Sequence, residues 1–100
     1  MLFQIHSESK RAEIGFGISK DYWGQGIVYE LGVALIRYGF ENLNLNRIEA
    51  EIDPDNIGSG KVLEKLGFIK EGYFHERWII DGKKSDSEFY GLIRNQWDNL

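Results

Sequence analysis

The hydrophobic and polar positions of this chain switch between two periods, and the switches mark its elements. Phe3–Ile5 and Ala12–Ile18 read as strands around the polar turn His6-Ser7-Glu8-Ser9-Lys10. In the second, Ile14, Phe16 and Ile18 alternate with Glu13, Gly15 and Gly17, the period of two of a strand; the glycines leave one face open to close approach. Asp21-Tyr22-Trp23-Gly24-Gln25-Gly26 is a turn that feeds a long helix over Ile27–Asn42. There Ile27, Leu31, Leu35 and Tyr38 recur at helical spacing as one apolar stripe, which Val28 and Ala34 widen. Arg47–Ile52 returns to alternation, with Ile48, Ala50 and Ile52 set against Glu49 and Glu51, and Pro54 ends it in an Asp-Pro-Asp-Asn turn.

A shorter helix is predicted over Gly58–Leu66, closed by Gly67 as a left-handed cap with Phe68 packing back on Leu63. Three strands follow, over Phe68–Tyr73, Glu76–Ile80 and Ser87–Ile93, the last two joined by a loop that contains Asp81-Gly82, a hairpin signal. The order β-β-α-β-α-β-β-β predicts an α/β fold, a mixed sheet with two crossover helices. No repeat, linker or low-complexity tract divides residues 1–100, so one domain is expected.

Composition narrows what such a domain does. Of 100 residues, 42% are hydrophobic and 28% charged, enough apolar content for a core and too much for a disordered chain. Cysteine is absent, which removes disulfides, thiolate-held zinc and a thiol nucleophile together. With no basic-then-apolar leader either, a cytoplasmic setting is expected. The best apolar run, Leu31–Ile36, stops at Arg37, far short of the ~20 residues of a membrane helix. A net charge of −4 disfavours nucleic-acid binding and suits a basic acceptor such as an amine or a peptide N-terminus; it equally describes a soluble surface.

Two glycine patterns fail as nucleotide motifs. Gly58-Ser59-Gly60-Lys61 resembles the end of a phosphate-binding loop, but Asp55 stands where Gly is required and Val62 where Ser or Thr is. Gly15-Phe16-Gly17 starts a dinucleotide fingerprint that Lys20 breaks. His6 and His75 have no metal-ligand spacing, and Tyr73, Phe74 and Trp78 read as sheet packing. The segment Trp23-Gly24-Gln25-Gly26-Ile27-Val28 carries more. It opens a well-patterned helix, so its unpaired N–H groups and the helix dipole suit a diphosphate, and its glycines allow close approach; a tight strand-to-helix turn is the other reading.

Asp21–Ile27, with a helix that ends Tyr38-Gly39-Phe40-Glu41, resembles the coenzyme-A motif of the GNAT acetyltransferase superfamily. The resemblance is to the branch that acetylates N-termini of ribosomal proteins. Ala12–Phe16 is similar to the strand before that motif, and Asn56–Phe68, then Glu71-Gly72, to the next hallmark. The similarity continues through Asp81-Gly82 and Asp86 to Trp97. Trp23 stands at the first position of the superfamily pattern, as this branch allows; Val28 is bulkier than the usual last residue, and Tyr29 replaces a Thr. Family members also carry further strands and two acceptor-side helices before the Phe3–Ile5 strand, so a fold lacking its N-terminal part is expected.

The resemblance implies acetyl-CoA as co-substrate, no metal, and direct attack of an amine on the thioester. Glu51 resembles the strand carboxylate that serves as base, with Glu13 as runner-up; a solvated acidic strand face is the bland alternative. Leu63 stands where some relatives carry a proton-donating Tyr; by resemblance to this branch Ser59 would assist the departing thiolate and Asn56 would hold the pantetheine arm. Helix capping accounts for both residues equally well. Amides near Phe16 to Ile18 would polarise the acetyl carbonyl.

A coenzyme-binding or interaction module without turnover is the competing function, favoured by the missing acceptor-side helices. A sheet without its first strands would leave Phe3–Ile5 as an unprotected edge, which a second copy covers most readily, so a homodimer is expected. Exchange of C-terminal strands about an Asp81-to-Asp86 hinge is one route to it.

Overall fold

The structure, a computed structural model, describes residues 2–15 and 27–98. Strands β1 (Leu2–His6), β2 (Arg11–Ile14), β3 (Arg47–Ile52), β4 (Ile69–Ile80) and β5 (Lys83–Ile93) form a five-stranded sheet in the order β1-β2-β3-β5-β4. Helices α1 (Ile27–Arg37) and α2 (Ile57–Lys65) lie on the β2-to-β3 and β3-to-β4 crossovers, and a short α3 (Arg94–Asp98) follows β5. The β2–β3 pair is parallel and the other pairings are antiparallel. This is the mixed α/β architecture with two crossover helices that the element order predicts.

Register decides which residues face which side. Ala12 pairs with Ile48, Ile48 with Leu92, and Ala50 with Tyr90, so one face of the sheet is apolar; these residues are all buried. Both crossover helices pack on that face, α1 through Val28 and Ile36 and α2 through Val62 and Leu63. The other face presents Arg11, Glu13, Arg47, Glu49 and Glu51 by the same alternation. Arg11 and Arg47 both donate to Glu49, at 3.3 and 3.1 Å, and the Arg47 guanidinium also reaches Glu71 across β5. That contact holds the Glu71 carboxyl below the usual carboxylate range. It needs Gly91: a Cβ there would lie 2.6 Å from Arg47 Nη2.

The helices depart from the pattern in one respect. The apolar stripe Ile27, Leu31, Leu35 and Tyr38 is not the buried face of α1, since Leu31 and Tyr38 are exposed. The chain turns Val28, Gly32 and Ile36 inward instead, with Phe40 in line after them. Gly32 adds no side chain to an apolar stripe, so the periodicity of large apolar residues does not mark the face that is buried. The helix then widens into a π turn over Tyr38–Asn42, where Leu43 N–H donates to Tyr38 C=O at 3.1 Å. Gly39 is confined there, a Cβ falling 3.1 Å from both Ile48 and Leu45.

Helix α2 is bounded by side-chain chemistry at both ends. Asn56 Oδ1 accepts from Ser59 N–H at 3.2 Å as N-cap. At the other end Gly67, at φ +97°, permits Phe68 N–H to reach Leu63 C=O and Gly67 N–H to reach Glu64 C=O, a Schellman closure.

The C-terminal half needs two corrections. The strands expected over Phe68–Tyr73 and Glu76–Ile80 are one strand, β4, interrupted by a bulge: Phe74 pairs with Ser87 and Trp78 with Ser85, so three β4 residues oppose Asp86 alone. The predicted Asp81-to-Asp86 hinge is instead a two-residue turn, because β5 already begins at Lys83. Asp81 and Gly82 both have positive φ, +51° and +76°, the type I′ geometry that suits strand twist. Helix α3 carries no periodic pattern and was not expected; its Trp97 ring stacks 5.2 Å from that of Phe40.

Candidate active site

β2 and β3 stay paired only as far as Glu13 and Glu49, while β3 runs on to Ile52 against β5. Beyond that last pair the two parallel strands part at their carboxyl ends, the position where open α/β sheets receive ligands. Two cavities meet there. One, of about 510 Å³, opens on the charged face and is lined by Glu13, Glu51, Asp53, Arg77, Trp78 and Ser87 among others. The second, of about 300 Å³, is bounded by Ile14, Gly15, Ala50, Asn56, Ser59 and Leu63. Glu51, Ile52 and Asp53 are common to both walls.

In the second cavity Ser59 stands out. Its side chain is fully buried on the first turn of α2, and its Oγ has no hydrogen-bond partner among the described residues. A buried hydroxyl left unpaired costs about 1–3 kcal/mol, so this one calls for a partner beyond the described residues. Its backbone N–H is already taken by Asn56, which confirms the capping role of that residue, and Ser59 is one of the residues that line the cavity. Leu63 contributes only apolar surface beside it.

In the first cavity Glu51 is held tightly. Its Oε2 accepts from Trp78 Nε1 at 2.7 Å, Ser87 Oγ at 2.7 Å and Arg77 Nε at 3.2 Å. Trp78 Nε1 also donates to Ser87 Oγ at 3.0 Å, which closes a small ring of hydrogen bonds around one carboxylate oxygen. The Arg77 guanidinium lies over the Phe74, Phe89 and Trp78 rings at 4.9–5.5 Å. Glu13 shares the cavity, and burial first, then the Glu51 and Glu49 charges, raise its carboxyl above the ordinary range.

Of the residues singled out in the sequence, the structure brings Glu13, Glu51, Asn56 and Ser59 to one gap in the sheet. Phe16, Ile18, Trp23, Gly24, Gln25 and Gly26 lie outside the described residues, as does the side chain of Ile27. The Val28 side chain is fully buried in the core, so only its main chain is available to a ligand. Trp78 corrects its reading as sheet packing: it is half exposed and bonds the key carboxylate. Arg77 and Ser87 went unnoticed, because nothing short of the register of β3, β4 and β5 connects them to Glu51.

Comparison with known proteins places this geometry. Residues 1–69 match the acetyltransferase (GNAT) domain family. The chain is 40% identical over 93 residues to the uncharacterized N-acetyltransferase p20 of Bacillus licheniformis, which spans 93% of this chain and 52% of that one. It is 36% identical over 84 residues to the ribosomal protein uS5-alanine N-acetyltransferase of Escherichia coli, spanning 84% of this chain and 43% of that one. A dodecameric structure of spermidine N-acetyltransferase from Vibrio cholerae superposes with a TM-score of 0.87 at 26% identity, over 98% of this chain and 57% of that one. The chain thus spans about half the length of the curated relatives it matches. With its family match over residues 1–69, and with the sheet parted beside a buried serine and a clamped glutamate, the chain belongs to the GNAT acetyltransferase family.

Proposed function

We propose that the chain serves N-acetyl transfer from acetyl-CoA to a primary amine, most simply a peptide or protein N-terminus, in the cytoplasm. The observation that carries this reading is the unpartnered Ser59 hydroxyl in a cavity that shares the Glu51 wall with an acidic cleft. The thioester arm goes to the second cavity, lined by apolar Ile14, Ala50 and Leu63 together with Asn56, Ser59 and the carboxylate-bearing Glu51 and Asp53. The amine approaches from the first, where Glu13, Glu51 and Asp53 favour a cation. The uS5-alanine and spermidine activities of the relatives support an amine acceptor.

In this reading the amine nitrogen bonds to the thioester carbonyl carbon, the C–S bond breaks, and one proton passes in net from nitrogen to sulfur. Glu51 takes the proton from nitrogen, with Glu13 as the second carboxylate in reach of the cleft. Ser59 Oγ–H donates a hydrogen bond to the departing sulfur. The diphosphate falls to main chain of Trp23-Gly24-Gln25-Gly26 and the start of α1, and the acetyl carbonyl to amides near Phe16 to Ile18.

Ser59→Ala tests the reading by two effects of opposite sign. Without ligand, removing an unpaired buried hydroxyl leaves the melting temperature unchanged or raises it. In calorimetry it weakens acetyl-CoA about fivefold, for one lost hydrogen bond of roughly 1 kcal/mol. No heat from the wild-type chain at millimolar acetyl-CoA sinks the proposal.

A homodimer completes the reading, because among the described residues β1 is an edge strand of the sheet, a side open to pairing with a second copy. Light scattering is expected to return twice 11.6 kDa at micromolar chain, and 11.6 kDa itself refutes the pairing.

A further inference from the structure

Arg77 and Trp78 are neighbours in one strand, yet both reach the same carboxylate. A regular strand forbids this, since consecutive side chains point to opposite faces. The bulge between Phe74 and Trp78 permits it. At its centre Glu76 has φ +52°, a left-handed conformation that a residue with a Cβ adopts at a cost. One side chain holds it there: Asp86 Oδ1 accepts the Glu76 N–H at 2.7 Å, while Oδ2 accepts the Tyr73 hydroxyl at 2.6 Å. That second bond is tight enough to push the Tyr73 phenol up to about 12 and to hold Asp86 below its usual range. By strand parity Ser85 and Ser87 lie on the Glu51 side, so the Asp86 carboxylate works from the opposite face.

We propose that Asp86 is a positioning residue: by fixing the β4 bulge it aims Trp78 and Arg77 together at Glu51, and with Ser87 they tie up Oε2 so that Oε1 is the oxygen left to take the substrate proton. Asp86 is also among the residues lining the first cavity, but its two carboxylate oxygens are taken by the Tyr73 hydroxyl and the Glu76 N–H, and it has no part in proton transfer. The inference about Oε1 rests on the acetyl-transfer reading above; the aim of the bulge does not.

The test uses the full chain labelled with ¹⁵N, following the Trp78 indole N–H, assigned by its loss in Trp78→Phe. Asp86→Ala is expected to move that resonance toward a solvent-exposed indole and to speed its hydrogen exchange at least tenfold. It is also expected to lower kcat for thiol release tenfold or more with KM for acetyl-CoA unchanged. Glu76→Gly placed in the Asp86→Ala background should restore much of both, since glycine adopts the left-handed backbone freely. A merely stabilising role for the Asp86–Tyr73 bond gives no such rescue. If Asp86→Ala does not fold, Asp86→Asn keeps one acceptor and should shift the same resonance by less in the same direction. An indole resonance and exchange rate untouched by whichever variant folds overturn the proposal. Full activity in Glu51→Gln removes Glu51 as the base, and no activity in the wild type overturns the acetyl-transfer reading; either result leaves the indole measurement to decide the bulge.

Discussion

Glu51→Gln is expected to lower free-thiol release by at least about a hundredfold, the lower range of what a positioned general base contributes, while acetyl-CoA binding stays within about twofold, far inside one hydrogen bond's worth of affinity. The substitution is nearly isosteric. A glutamine carbonyl oxygen still accepts from Trp78, Ser87 and Arg77, the three donors that now converge on Oε2, so the wall between the two cavities keeps its shape. What disappears is the anion that removes a proton from the attacking amine. Unchanged turnover takes Glu51 out of that role and moves it to Glu13, whose carboxyl burial already pushes up toward the pH at which a base works well. A wild-type chain that binds acetyl-CoA and releases no thiol with any amine or peptide acceptor is instead a coenzyme-binding module.

Phe40→Ala is expected to cost about 3–5 kcal/mol, the range for deleting a fully buried aromatic ring. For a domain of this size each kcal/mol moves Tm by roughly 4–8 °C, so the melting midpoint by circular dichroism should fall on the order of 20 °C. Phe40 has no exposed surface, and its ring is stacked with Trp97 of α3 while the adjacent Gly39 is wedged against Ile48 and Leu45. The π turn and the closing helix hold each other through that one ring, so the cavity has little to collapse into it. A loss of only a few degrees would mean that α3 does not close the core as described.

What was legible in the chain and what was not divide along a physical line. β3 came out with its observed bounds, because strict alternation and a terminating proline are both local signals. Helix α2 was bracketed within a residue or so by Asn56 and Gly67, which act through bonds to their own helix. The Asp81-Gly82 turn was placed for the same reason. Long-range choices were hidden. α1 has apolar residues on two sides, and only packing decides that the side with Gly32 goes inward. The β4 bulge reads in the sequence as a break, since His75 and Glu76 are polar and the side chain that sustains the strand is Asp86, ten residues from Glu76. At the candidate site, the family resemblance alone singles out Glu51 and Ser59, and the acidic strand face is the bland reading of Glu51. Their neighbours Arg77, Trp78 and Ser87 follow only from cross-strand register.

The way β3 divides its residues has a consequence for how such a protein changes over generations. Ile48 and Ala50 are buried in the core, while on the other side Glu49 bonds Arg11 and Arg47 and Glu51 bonds Arg77, Trp78 and Ser87. Exchanging a charge on that outer side leaves the packed layer intact, and substitutions away from packed cores typically alter stability by no more than about 0.5 kcal/mol. On the proposed function, selection on the acceptor can therefore rewrite the outer positions of this strand over a core that Ile48 keeps intact, whereas Ala50, which also bounds the second cavity, answers to both demands.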